Sequence, residues 1–236
     1  MKSNKEKLTK EEKKALKQKK KENSNPIVKK AIIFVIVIIL VMALVGVLLA
    51  VLLKKPAPEP EPVKQTISAL DKYGYTLDDK DTKLYKEEFE VLKKNLESST
   101  IDFDAYAESI AKLFIIDFYS LDNKLNKYDV GGIEFVFPDY RDTFKIKAQD
   151  TIYNYLEDNT KGNRKGTLPI VDSVTITSNE KSTYTYTPGG DKTKKKEYDS
   201  YEIKYTNTYN VSQGYDTAGV IDIIRDGDFL YIVSRK

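Results

Sequence analysis

The 236-residue sequence has no histidine, no cysteine and no tryptophan. Without cysteine there are no disulfides and no thiolate chemistry, and no residue can take the lipid of a bacterial lipoprotein. A large outer domain without disulfides suits a bacterium with no strong oxidative folding system better than a eukaryotic secretory route. Without histidine, the commonest general base and the commonest metal ligand are both missing. Arginine is scarce as well. Lysine outnumbers it 35 to 4, a bias consistent with an AT-rich genome.

Charge is unevenly placed. Residues 1–30 hold 12 Lys against 4 Glu, while residues 64–236 hold 25 Lys and Arg against 30 Asp and Glu. The basic charge is therefore in a short tail, and the remainder is mildly acidic. That is the wrong sign for neutralising phosphates, so no nucleic-acid partner is expected.

Residues 31–53 (AIIFVIVIILVMALVGVLLAVLL) run 23 positions without a charge, interrupted only by Gly46. At ~1.5 Å rise per residue such a helix spans the ~30 Å hydrocarbon core of a bilayer. A cleaved signal peptide has an apolar core of only ~7–15 residues and ends in a small-x-small site. Here the run is longer and is followed by Lys54, Lys55 and Pro56, which favours a permanent transmembrane helix. Twelve lysines precede the segment and two closely follow it, so the N-terminus is expected in the cytoplasm and residues 64–236 outside. The tail lysines set this topology, and those around Lys13, Lys14 and Lys17 to Lys21 can also approach anionic lipid. A transient charged helix is expected around Leu8 to Leu16. Residues 54–63 alternate proline with alanine and glutamate, an extended polyproline-type spacer.

Beyond the spacer the apolar period is helical. Tyr85, Phe89, Leu92 and Leu96 share one face of a helix over roughly 80–98. Phe103, Ala107, Ile110, Phe114 and Phe118 repeat the spacing, with Asp102 as N-cap and Asp104 favourable to the dipole. The run 113–116 is apolar on several faces, which marks this second helix as the most buried. Tyr140, Phe144, Ala148, Thr151, Ile152 and Tyr155 mark a third, with Pro138 at its first position and Asn159 and Gly162 at its end.

The period then becomes two. Residues 168–178 and 182–187 are rich in β-branched residues and tyrosine. In 198–211, Tyr201, Ile203, Tyr205, Tyr209 and Val211 alternate with polar residues. Strands at 217–224 and 228–234 are joined through Asp226 and Gly227, the pair preferred in a type I′ hairpin turn. Pro188, Gly189 and Gly190, with Lys192 to Lys196, form a longer hairpin loop. Helices segregated before strands give an α+β class: three helices packed on a curved antiparallel sheet of four to five strands.

Chemistry-bearing motifs are sparse. Asp78, Asp79, Lys80 and Asp81 lack the glycine and distant glutamate of a calcium loop and read as a capping turn. Asp226, Gly227 and Asp228 read as a turn, and the adjacent Gly131 and Gly132 do not make a phosphate loop. Glu134, Asp139 and Asp142 supply carboxylates with no evident difference in environment. No catalytic, cofactor-binding or metal-binding residue is identified. The 17 tyrosines stand out instead. Tyr184, Tyr186, Tyr201, Tyr205 and Tyr209 lie in strands and are the candidate interaction face, since tyrosine packs its ring while keeping its hydroxyl hydrated; a tyrosine-rich core and sheet surface is the plainer reading of the same pattern and the favoured one.

The order of basic tail, single membrane helix, spacer, three helices and antiparallel sheet resembles the bitopic scaffold proteins of bacterial conjugation and type IV secretion channels, above all their Gram-positive members. The resemblance covers most of residues 31–236 and rests on the order of elements. It implies an outer domain with a cone-like, nuclear-transport-factor-2-like fold and a role in assembly. The expected function is then a membrane-anchored envelope protein of a bacterium, non-enzymatic, with the bilayer and other envelope proteins or itself as partners. An extracellular small-ligand module using the cone interior, or a membrane-tethered enzyme, are the alternatives.

Overall fold

A computed structural model describes residues 10–22, 26–52, 64–211 and 214–236. The proline spacer 54–63 lies outside the described residues, as do the first nine residues of the tail and Leu53. The chain divides into two compact units, Met1–Glu59 and Pro60–Lys236.

The first unit contains two helices, α1 (Lys10–Glu22) and α2 (Pro26–Leu52). On α1 the described side chains, Leu16 included, are exposed, as expected of a sequence with little to bury. On α2 the residues from Ile32 to Val45 are apolar on every side and exposed. A helix apolar all round has no polar face to offer water and belongs in an apolar medium. It is the one helix among the described residues long and apolar enough to cross a membrane.

The second unit is mixed α+β. It begins with a hairpin that the sequence pattern did not indicate, β1 (Thr66–Leu70) paired antiparallel with β2 (Tyr75–Asp78). Gly74, at φ +71°, closes its turn in a conformation that suits glycine. The acidic stretch after β2 is the expected capping turn. The Asp78 N–H donates to Asp81 at 2.6 Å, and Thr82 caps α3 (Lys83–Leu96) by accepting from the Tyr85 N–H at 3.1 Å. The four residues of the predicted stripe, Tyr85, Phe89, Leu92 and Leu96, are the buried ones. Asp102 caps α4 (Phe103–Tyr119), accepting from the Asp104 and Ala105 N–H groups. Ala107, Ile110, Leu113, Phe114 and Ile115 are all essentially inaccessible, so α4 is the central helix.

The third helix, α5 (Arg141–Asp150), is shorter than its pattern. Pro138 opens a 3-10 turn, Pro138–Tyr140, that leads into it, in place of the helix's own first position. At the other end Thr151 leaves helical geometry, and its hydroxyl bonds back to the Lys147 carbonyl at 2.6 Å. The chain then turns inward to bury Tyr153, whose N–H returns to the Ala148 carbonyl at 2.9 Å, and leaves Tyr155 90% exposed. Of the expected pattern past Thr151 only Ile152 is partly buried, and the buried residue of the turn, Tyr153, lies outside it.

The sheet is an antiparallel meander in the order β3 (Val171–Tyr186), β4 (Lys196–Tyr209), β5 (Ala218–Asp226), β6 (Phe229–Arg235). Two segments expected as separate strands form the single strand β3, which runs through Asn179 to Lys181 with an irregularity between Ile176 and Ser178. The turn between β5 and β6 is centred on Gly227 and Asp228, since Asp226 pairs with Phe229. Only Gly227 has a positive φ there, the pattern of a type II′ turn and not the I′ turn expected. Of the three helices, α4 packs broadly on the sheet and α3 packs on α4, while α5 lies against the 3-10 turns at Ile133–Phe135 and Pro138–Tyr140.

Candidate functional site

The five tyrosines of the predicted interaction face are divided between the two sides of the sheet. Lys181 pairs with Tyr201 and Tyr184 with Tyr198. Side chains alternate along a strand, so Tyr201, Tyr205 and Tyr209 point one way and Tyr184 and Tyr186 the other. Tyr201 and Tyr205 are buried in the main core with Ile203, Ile221 and Ile223. Tyr209 is half-buried and its hydroxyl donates to the Asp216 carbonyl at 3.0 Å. On the opposite side Tyr186 is buried with Phe137, Tyr198 and Ile224, its hydroxyl donating to Asp139. Tyr184 is half-buried beside them, its hydroxyl 3.3 Å from that of Tyr140. These rings build two cores and leave no single open tyrosine face.

Two concave sites among the described residues of the folded unit are bordered by α4 and by the segment that follows it. The first is an apolar groove of about 830 Å³ between α4, α5 and β6. Phe114 and Phe118 stack at 5.4 Å between ring centroids, and Phe144 of α5 meets Phe118 at 5.3 Å. Ile152, Ile232 and Val136 continue the apolar wall, and Thr143 and Lys147 stand exposed at the rim. At one end Arg235 donates through Nε to the Tyr205 hydroxyl at 3.2 Å and through Nη2 to Asp216 at 3.0 Å. Its guanidinium lies 5.2 Å from the centre of the Tyr119 ring.

The second site is a polar cleft of about 280 Å³ lined by Lys64, Asp78, Asp81, Tyr85, Asp117, Asp129 and Glu134, among others. Behind its wall the Lys124 ammonium is fully buried against the Asp117 carboxylate, and the Gly132 N–H donates to the other oxygen of that carboxylate at 2.6 Å. Lys64 pairs with Asp129 at 2.8 Å, and the Tyr85 hydroxyl donates to Glu134 at 3.2 Å. Burial acts to raise the Asp117 carboxyl, but the charges of Lys124 and Lys64 outweigh it and hold the group below its ordinary range. Glu134 is pushed up to about 7, by burial first and by the Asp117 charge second. Burial likewise lifts Asp81 to about 6, against a bond from the Asp78 N–H. The cleft therefore combines one carboxylate held ionised with two that keep their protons to higher pH than usual, Glu134 more so than Asp81.

Glu134 thus has carboxylate neighbours of contrasting character, but they are Asp81 and Asp117 and not the residues adjacent in sequence. Asp139 lies on the groove side with Tyr186, and Asp142 is exposed. One signal for the cleft was present in the sequence. Asp117 interrupts the apolar run of α4, and a charge on a buried helix face requires a partner. No group of acidic residues able to hold a metal ion occurs among the described residues. No family model, curated protein or solved structure matches this chain.

Proposed function

We propose that the chain is a single-pass membrane protein of a bacterial, Gram-positive-type envelope, and that its folded unit is a non-enzymatic binding module outside the membrane. In this reading α2 is the anchor, the lysine-rich tail stays in the cytoplasm, and the groove between α4, α5 and β6 receives an apolar segment of another envelope protein. The observation that carries it is the groove, with its aromatic walls and polar rim open to one side of the folded unit. Concave apolar pockets with few polar groups are where binding energy is usually found, and tethering would raise the local concentration of partners in the same bilayer. Helices preceding a meander sheet, with α4 laid on it, support the cone-like, nuclear-transport-factor-2-like arrangement and the assembly role that goes with it.

A photo-crosslinker placed at Thr143 of the full chain in its membrane tests this. A discrete protein adduct at Thr143, absent when the crosslinker sits at Asp199 on the far part of the sheet, is the expected result. Protease added to wall-stripped cells should in the same preparation digest the folded unit and spare the tail. The groove volume also falls within the ~300–1,000 Å³ of small-molecule sites, which favours an amphiphile as a second reading. An adduct with the mass of a lipid or small amphiphile, and no protein adduct, would decide for it.

A further inference from the structure

The groove is apolar along its walls and charged at its margins. Its charged lining residues are Asp139, Lys147 and Arg235. Asp139 accepts from the Tyr186 hydroxyl, Lys147 stands exposed at the rim, and Arg235 stands at one end. Positive charge therefore exceeds negative around an apolar trough.

Arg235 is also unlike the other arginines. The chain has only four among 39 basic residues, so the use made of each can be compared. Three hold backbone carbonyls in place. Arg141 donates to the Val136 and Glu134 carbonyls, both at 2.9 Å. Arg164 donates to those of Leu121, Asp122, Lys124 and Glu157. Arg225 donates to the Gly227 carbonyl at 3.0 Å and lies over the Phe103 ring. Among the described residues Arg235 bonds to side chains alone, and its two partners differ. Tyr205 is buried, so the bond from Nε at 3.2 Å anchors the guanidinium to the core. Asp216, met by Nη2 at 3.0 Å, belongs to the loop between β4 and β5, and its side chain is 70% exposed against 29% for Arg235. An ion pair with one member so far in solvent is weakly held. A guanidinium is a planar fork that fits a carboxylate, and this one is fixed at the core side and only loosely partnered on the other.

Resting on the function proposed above, we infer that the apolar segment received by the groove carries an aspartate or glutamate that pairs with Arg235 in place of Asp216. The segment's apolar residues lie on the accessible faces of Phe144 and Ile152, and Lys147 adds a second positive charge at the rim. Asp216 is an internal stand-in for the partner's carboxylate. It exchanges without disturbing the bond from Nε to Tyr205, and it loses little on return to solvent.

The full chain in lipid nanodiscs, panned against a random peptide display library, gives the test. Peptides enriched by the wild type and lost on Thr143→Trp, or on Lys147→Trp should the first variant fail to fold, are resynthesised with a fluorescent label. Each is made with its acidic residue and with the matching amide, Asn for Asp or Gln for Glu. The acid should bind the wild type about tenfold or more tightly than the amide. On Arg235→Gln, and on Arg235→Lys to a smaller degree, that preference should shrink toward one. A ratio of affinities on the same chain is unaffected by partial unfolding of a variant. Asp216→Asn should tighten the acid by about two- to fivefold and leave the amide unchanged, because it removes the internal competitor. Groove-dependent peptides without an acid, a preference that survives Arg235→Gln, or no gain on Asp216→Asn overturns the exchange and leaves the binding function standing. Failure to enrich any peptide over the Thr143→Trp chain overturns both. In that case, binding of a fluorescent long-chain fatty acid that is lost on Arg235→Gln would assign the carboxylate to an amphiphile instead.

Discussion

The groove and the cleft share two stretches of chain, yet they have opposite chemistry. Phe114 and Phe118 of α4 line the groove, and Asp117, between them in sequence, lines the cleft. Glu134 faces the cleft and Val136, two residues on, faces the groove. A helix turn of 100° per residue separates the first pair, and the 3-10 turn Ile133–Phe135, which gives way to extended backbone at Val136, separates the second. The comparison shows how differently the two sites are maintained. The groove is held mainly by buried aromatic and aliphatic side chains, with charges only at its margins. The cleft holds charges in low dielectric, and its stability depends on which of them are ionised.

The sharpest way to break the comparison is to truncate one residue on each side of α4. Asp117→Ala leaves the buried Lys124 ammonium without its partner and should cost about 3–5 kcal/mol. Phe114→Ala should cost a similar ~3–5 kcal/mol through lost burial and a cavity. Urea unfolding midpoints measure both. They separate on repair, because Asp117→Leu with Lys124→Met should recover much of the first loss. If Asp117→Ala unfolds like the parent, the buried pair is not holding the cleft.

Smaller and pH-dependent effects belong to the cleft only. Glu134 and Asp81 have folded pKa values above their ordinary ones. Their contribution is present below about pH 4 and is lost as pH rises through about 6 for Asp81 and about 7 for Glu134. Asp117 works in the opposite sense and loses its contribution as pH falls through its depressed value. Glu134→Gln, which imitates the protonated acid, should therefore match the parent at pH 4 and be more stable at pH 8 by about 1–2 kcal/mol, after allowing for solvent in the cleft. Thermal melts at the two pH values check this, and an equal gain at both would show that charge is not the cause. Smallest of all in stability is Thr143→Trp, an exposed position on α5, which should stay within about 0.5 kcal/mol of the parent at either pH. Its effect should be confined to binding.

How much of this was legible follows from how local each feature is. The stripe Tyr85, Phe89, Leu92 and Leu96 and the cap at Asp102 are set within one helix, and they stand where the spacing put them. The alternation around Ile203 was equally readable. The division of the tyrosines was not, because it depends on the pairing of β3 with β4 across a loop, and a shift of one residue sends a whole strand to the other face. The β1–β2 hairpin is short, and its four-residue strand β2 leads directly into an acidic capping turn that dominates the local pattern. The cleft draws Lys64, Asp81, Tyr85, Asp117, Lys124 and Glu134 from separate segments. Only Asp117, a charge in an apolar helix, announces it in one dimension. Nothing in the sequence near Arg235 reports that β6 is an edge, since edges are a property of the assembled sheet.

Gly131 and Gly132 sit where the two sites meet. A Cβ on Gly131 would come within 2.5 Å of the Asp117 carbonyl oxygen and 2.6 Å of the Lys124 ammonium. One on Gly132, whose φ is +72°, would come within 2.6 Å of the Phe114 ring. Neither position has room for any other residue, and one answers to the charged side while the other answers to the aromatic side. In evolutionary terms this dipeptide should behave as a fixed point. As related sequences diverge, groove residues can exchange one apolar side chain for another and cleft carboxylates can change with their partners, while the glycine pair persists. A search for distant relatives would therefore do better to anchor on Gly131 and Gly132, with an acidic residue fifteen positions before Gly132, than on the tyrosines that dominate the composition.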